Sequence, residues 1–372
     1  MIPAERYADR LARLVELVTD RRLAAVLVAV GPDLEYLTGY RAMPLERLTM
    51  LVVAAGREPR LVVPRLERAA AEAEVRTAVE LATWGETDDP YALVLDGLGE
   101  GPVAVSDRLW ASHLLRLQAA PRERSFAPAS TVLRELRMVK DDDEVELLRR
   151  AARAADRVVA QIAAGPLVGR TEADVAREVR DRLIAEGHEE AHFAIVGSGP
   201  NSASPHHEAS ERVIQAGEPI VLDIGGTLAG YCSDITRTLW VTGGNPANGP
   251  DEEFSRLFGL VKSAQAEGTS AARAGVAAER VDAVARGIID AGGYGDRFIH
   301  RLGHGIGLEG HEEPYLVAGN AEPLRAGHAF SIEPGIYLEG RYGARIEDVV
   351  VCTQDGPVAL NEAPRDLYVV PG

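Results

Sequence analysis

The segment Pro219-Ile220-Val221-Leu222-Asp223-Ile224-Gly225-Gly226-Thr227-Leu228-Ala229-Gly230-Tyr231-Cys232-Ser233-Asp234-Ile235-Thr236-Arg237 contains two aspartates where apolar side chains belong. Its first six residues have the composition of a buried strand, and Asp223 interrupts them. Asp234 lies on the strand-like run that follows. A hairpin closed about Leu228 and Ala229 sets the two carboxylates directly opposite each other on one face. A second pair has the same relation: Glu333, in Phe330-Ser331-Ile332-Glu333-Pro334-Gly335, faces Glu347, in Arg345-Ile346-Glu347-Asp348, across a turn near Gly340. Like charges across a ladder destabilise it, and unpaired buried charge costs several kcal/mol. A positive charge is therefore required between them.

That charge comes from basic side chains or from metal ions. Arg237 and Arg345 each lie close to one of the acids, but two guanidinium groups would not need four converging carboxylates. A histidine in the glycine-rich run Gly303-His304-Gly305-Ile306-Gly307 offers a fifth donor. Carboxylates with one imidazole suit Mn²⁺, Co²⁺, Fe²⁺ or Zn²⁺ better than a thiolate-seeking metal. Two divalent cations would balance about four negative charges.

These residues resemble the pita-bread metallopeptidases, the family of methionine aminopeptidase, aminopeptidase P, prolidase and creatinase. The family's metal pattern of Asp, Asp, His, Glu, Glu falls here on Asp223, Asp234, His304, Glu333 and Glu347. The strings Leu222-Asp223-Ile224-Gly225, Ser233-Asp234-Ile235-Thr236-Arg237-Thr238 and Ser331-Ile332-Glu333-Pro334-Gly335-Ile336-Tyr337 are similar to the proline-specific branch. The resemblance implies two divalent ions per subunit, Mn²⁺ first, with Co²⁺, Zn²⁺ or Fe²⁺ as alternatives. It implies Asp234 and Glu347 as bridging ligands and Glu333 as the group that takes and returns a proton. It also implies three histidines and an arginine around the substrate. His206, after Pro205, and His311, in Gly310-His311-Glu312-Glu313-Pro314, would act on the scissile peptide. His300 and Arg345 would join them in binding substrate. One position departs from the pattern: Gly310 stands where the prolidase-type signature has Ile or Val. His207 reads instead as a structural histidine.

The activity implied is hydrolysis of the peptide bond before proline by an Xaa-Pro dipeptidase. An Xaa-Pro aminopeptidase acting on longer peptides is the alternative, and a creatinase-like or non-catalytic relative comes behind both. A homodimer is what the family implies.

At 372 residues, with 46% hydrophobic and 26% charged residues, the chain has the size and composition of a globular protein of two domains. A formal charge of −17 argues against nucleic acid as a partner. No apolar run approaches the roughly 20 residues that cross a bilayer, so no membrane partner is expected. The N-terminal residues carry mixed charge without an apolar signal region. Two cysteines, Cys232 and Cys352, on apolar strand-like segments do not suggest a disulfide framework, and a cytoplasmic setting is expected.

In the first part of the chain, Leu11, Leu14, Leu17 and Val18 recur at helical spacing before an apolar strand ending at Gly31-Pro32. Asp33 is placed to cap the turn that follows. Helical and strand segments then alternate to about Leu133, which gives residues 1–138 as an α/β, creatinase-like domain. The acidic triplet Asp141-Asp142-Asp143 opens a helix. Thr171-Glu172-Ala173-Asp174 reads as the capping sequence of the next one. Helix pair, hairpin, helix pair, hairpin then describes residues 139–372 as an α+β pita-bread domain with two pseudo-equivalent halves.

Overall fold

The computed structural model describes residues 2–120 and 123–372, which form two compact units, one reaching to Arg137 and one running Met138–Gly372. In the first, the helix Ala4–Asp20 buries Leu11, Leu14 and Val18 on one face, as its periodicity predicts. A six-stranded mixed sheet follows, in the order Glu80–Trp84, Arg60–Pro64, Met50–Val53, Ala25–Ala29, Val103–Val105, Phe126–Pro128. The expected cap at Asp33 is corrected here: Gly31 caps the helix Pro32–Thr38 and Pro32 occupies its first turn. Proline's fixed φ starts the helix two residues earlier than a cap at Asp33 would. Asp33 Oδ1 instead accepts a hydrogen bond from Arg137 Nη1 at 2.8 Å.

The second unit is built twice over from a helix pair laid on a sheet. The helix Asp142–Ala163 opens with a reciprocal capping box between Asp141 and Glu144, and Glu172–Ala185 opens with the Thr171 hydroxyl accepting from the Asp174 N–H. Val158, Ile162, Val179 and Leu183 from this pair pack on Leu222, Ile224, Ile235 and Leu239 of a four-stranded sheet. That sheet runs Tyr368–Val370, Tyr231–Val241, Glu218–Leu228, Glu190–Ser198. The helices Glu252–Ala271 and Ala278–Ala291 cover the other half, where Phe254, Val261, Val281 and Ile289 share a core with Phe330, Ile332 and Val350. The five strands beneath them run Glu312–Leu316, Gly303–Gly305, Ala329–Ile332, Asp348–Thr353, Gly356–Ala359. This is the pita-bread architecture, and the halves are stitched where the Glu347 N–H donates to the Thr236 carbonyl at 3.1 Å.

The first hairpin departs from the expected register. Leu228 pairs with Tyr231, so the turn is Ala229-Gly230 and not Leu228-Ala229. Both turn residues have positive φ, 50° at Ala229 and 86° at Gly230, the requirement of a two-residue turn that follows the strand twist. In consequence Asp223 pairs with Thr236 and Gly225 with Asp234. The two aspartates are diagonal neighbours rather than directly opposed, and they remain on one face.

The second pair keeps its expected relation. Ile332 pairs with Asp348 and Gly335 with Arg345, which leaves Glu333 and Glu347 facing each other in the gap. The ladder is interrupted there: the Glu333 N–H donates to the Leu302 carbonyl, the Glu347 N–H to the Thr236 carbonyl, and Pro334 has no N–H. Cys232 and Cys352 are buried free thiols, as expected. Among the described residues no helix is long and apolar enough to cross a membrane.

Candidate metal centre

The strands of both halves end their acidic residues in one cavity of about 490 Å³. Asp223, Asp234, His304, Glu333 and Glu347 all line it, together with His206, His300, His311 and Arg345. Every site residue expected from the sequence is thus brought to one place. Arg237 is not: its guanidinium lies behind the hairpin, where it donates to Asp348 Oδ1 at 2.7 Å and to the Glu347 carbonyl at 2.6 Å. His207 also stays outside the cavity and holds Glu172 through Nε2 at 2.8 Å.

Donor atoms of Asp223, Asp234 and Glu347 lie within 4.8 Å of one another, and so do those of His304, Glu333 and Glu347. Asp234, His304 and His311 form a further such group. His304 Nδ1 is 3.1 Å from the Gly305 carbonyl, so the proton belongs on Nδ1 and the Nε2 lone pair is left for the cavity. Nε2 sits 3.3 Å from Glu333 Oε1 and 3.7 Å from Asp234 Oδ2. The ring of His311 lies against that of His304, centroids 3.9 Å apart.

Around this centre the hydrogen-bonding groups have assigned tasks. Thr236 Oγ1 donates to Glu347 Oε2 at 2.7 Å, and Ser331 Oγ donates to Glu333 Oε1 at 3.1 Å. Arg345 donates to Asp223 Oδ2 at 2.6 Å, to the Tyr337 hydroxyl at 2.7 Å and to the Pro205 carbonyl at 3.1 Å. The Tyr337 hydroxyl in turn meets His300 Nε2 at 2.9 Å, and His300 Nδ1 meets the Arg301 carbonyl at 2.8 Å. Both nitrogens of His300 are therefore engaged within the protein, and its ring forms cavity wall. Asp223 Oδ1 is buried without a hydrogen-bond partner.

The protonation pattern follows from burial. Burial raises Asp234 well above the usual carboxylate range, with Asp223 and Glu333 adding to it. Burial raises Glu347 in the same way, with Asp234 and Glu333 behind it. Glu333 is pushed up to about 7 by burial and by Asp223, against the pull of Arg345. His304 is pushed down to about 3 by burial and then by His311, so it is a neutral donor near pH 7. Orphaned carboxylate oxygen, a free imidazole lone pair and acids driven toward protonation by one another are the chemistry of a cation site.

A measurable consequence concerns protons. Carboxylates held protonated by their neighbours must ionise when a divalent cation binds, whereas neutral His304 has no proton on Nε2 to lose. At pH 6, below the value of about 7 to which burial raises Glu333, Mn²⁺ binding is expected to release roughly one proton or more per chain. Affinity should accordingly fall as the pH is lowered through that range. Calorimetric titrations in buffers of different ionisation heat measure this directly, and zero release would contradict the raised acids.

One charged cavity residue escaped the sequence reading. Arg301 reaches the lining, its guanidinium 4.3 Å above the Tyr315 ring and one nitrogen 3.5 Å from His311 Nδ1. It makes no ion pair among the described residues. The adjacent His300 was the only local signal, since a cation without a partner is a tertiary property. Phe193 and Ile195 supply apolar wall and likewise carry no motif.

Comparison with known proteins supports both units. Residues 10–139 match the creatinase/prolidase N-terminal domain, and residues 146–354 match metallopeptidase family M24. A Mycobacterium tuberculosis protein named "Probable dipeptidase PepE" is 47% identical, with 99% of this chain and 98% of that one covered. The Xaa-Pro dipeptidase of Pyrococcus horikoshii is 32% identical over 96% of this chain and 98% of its own length. The crystal structure of dipeptidase PepE from Mycobacterium ulcerans superposes with a TM-score of 0.93 at 45% identity, covering 100% of both chains. Sequence and architecture agree from end to end, and the chain belongs to metallopeptidase family M24, with a creatinase/prolidase N-terminal domain.

Proposed function

We propose that this chain is an Xaa-Pro dipeptidase, cleaving the bond before proline in a two-residue substrate, with two divalent cations, Mn²⁺ first, held by Asp223, Asp234, His304, Glu333 and Glu347. The observation that favours a dipeptide is the unpaired Arg301. A dipeptide brings a C-terminal carboxylate into the site, and a cavity already rich in carboxylates needs a free cation to receive it. Arg345 is not free for this, since Asp223, Tyr337 and Pro205 occupy its donors.

Bound cations supply Lewis-acid polarisation of the scissile carbonyl and activation of water near neutral pH. The protein's own groups do the rest. Glu333 accepts the proton from the attacking water and hands it to the leaving proline nitrogen. His206 and His311 donate toward the oxygen that gains negative charge. His300 braces that wall through Tyr337 and Arg345. Phe193, Ile195 and Pro205 exclude water and offer apolar contact to a proline ring.

The test is a comparison of Xaa-Pro with Xaa-Pro-Yaa, in wild type and in Arg301→Met. A charge-assisted hydrogen bond contributes about 1.5–3 kcal/mol, so the variant should lose about 10–100-fold in kcat/KM on the dipeptide. Turnover of the longer peptide should change little. Equal turnover of both peptides with no effect of Arg301→Met would make the chain an Xaa-Pro aminopeptidase instead.

A further inference from the structure

His206 and His207 are adjacent, yet only His206 lines the cavity. Nothing in the dipeptide His-His decides which ring faces inward. The deciding contact comes from a residue outside the cavity. Glu172, on the first turn of its helix, is fully buried. Its two carboxylate oxygens take seven hydrogen-bond contacts from four residues: Ser198 through N–H and hydroxyl, Asn201 through both oxygens, Ser210 through N–H and hydroxyl, and His207 through Nε2.

Those partners are the two ends and the interior of one connecting segment. Ser198 closes the strand Glu190–Ser198 and Ser210 lies past the turn, so one carboxylate gathers the segment at its base. The far side is held by the second half, where the Gly343 N–H donates to Ser202 Oγ at 2.9 Å and Arg345 donates to the Pro205 carbonyl at 3.1 Å. With His207 drawn back to Glu172, the next side chain along the chain, His206, is turned the other way. Burial opposes the charge on Glu172, yet the hydrogen bonds from Ser210, Ser198 and His207 hold its carboxyl down at about 2. It is ionised throughout the working pH range and grips its donors as a full anion.

We propose that Glu172 is a positioning residue for the peptidase reaction: by capturing His207 and both ends of the 198–210 segment, it selects His206 as the imidazole presented to the substrate. This rests on the peptidase reading given above. Glu172 touches neither substrate nor reacting atoms and acts only through His206.

The experiment is a double-mutant cycle in the full-length, Mn²⁺-loaded protein, with Glu172→Gln made in wild type and in His206→Ala. Misplacing a catalytic contact by about 1 Å costs on the order of 10–100-fold, so Glu172→Gln should lower kcat for an Xaa-Pro dipeptide by that much with a small change in KM. In the His206→Ala background the same change should cost less than about twofold, because the group it positions is gone. A purely structural role would give equal losses in both backgrounds, and that result overturns the proposal. If Glu172→Gln fails to fold, His207→Ala serves in its place, with the same non-additivity expected. The ring resonance of His206 in histidine-labelled protein gives a readout independent of substrate: it should shift in Glu172→Gln, and an unmoved resonance overturns the positioning role. If His206→Ala alone leaves dipeptide turnover intact, the reading of the catalytic site fails instead, and the resonance still decides what Glu172 does.

Discussion

Asp234→Asn should lower turnover about 10³-fold and at the same time make chelator-treated protein more resistant to heat. The two effects have one origin. Asp234 is 5% exposed, its side chain belongs to both the Asp223–Glu347 and the His304–His311 groupings, and burial, then Asp223 and Glu333, drive it toward the protonated form. Near neutral pH that carboxyl ionises in the unfolded chain but is held toward neutrality in the folded one, a cost that an amide of the same shape does not bear, so the protein without bound cations gains stability. The same amide cannot serve as an anionic ligand. Loss of metal-supplied charge stabilisation of about 4 kcal/mol corresponds to about 10³-fold in rate. Metal content by mass spectrometry, dipeptide turnover and a melting curve on the chelated protein separate the two arms. Full metal content with full activity would remove Asp234 from the centre.

Arg237→Met carries the largest expected cost in stability, and it falls outside the catalytic groups. Arg237 is 1% exposed and its donors are all spent: on Asp348 Oδ1 at 2.7 Å, and on the carbonyls of Thr236, Glu347, Ala363 and Pro364. Asp348 is fully buried, and its other oxygen accepts from Gln265 at 2.8 Å and from Arg365. Removing one partner of a buried ion pair leaves the other uncompensated, at about 3–5 kcal/mol. Four carbonyls would lose a donor as well. Arg365 survives beside Asp348 and limits the loss to the lower part of that range. Denaturant unfolding measures it, and a midpoint within error of wild type would show that Arg365 alone satisfies Asp348.

Much of the site is legible before any coordinates because its residues break local rules. Asp223 in Ile220-Val221-Leu222-Asp223-Ile224, or Glu347 before Val349-Val350-Val351, is an anomaly that only a long-range partner can explain. The helix starts at Asp141 and Thr171 are written in side chains within four residues of the cap, and both form as read. The expected turn at Leu228-Ala229 would need positive φ at two residues with side chains, whereas Ala229-Gly230 needs it at only one, and that difference shifts the register by one residue. Glu172 was visible as part of a capping string, but the residues it binds lie 26 to 38 positions away. Arg301 and Arg237 show the same limit from opposite sides. Neighbouring letters make both look alike, while one proves unpaired in the cavity and the other fully consumed behind it.

The turn at Ala229-Gly230 lies at the far tip of the hairpin, five pairings from the Asp223–Thr236 rung, and it works as a ruler for everything below it. Lengthening the tip by a single residue would slide one strand past the other by about 3.4 Å or flip its pleat. Either change would carry Asp234 off the line shared with Glu347 while leaving every ligand present in the chain. Variation in that half-buried turn is therefore constrained by count as well as by chemistry, so a relative with an insertion at the tip could keep all five ligands in sequence and still fail to assemble the pair of seats they form.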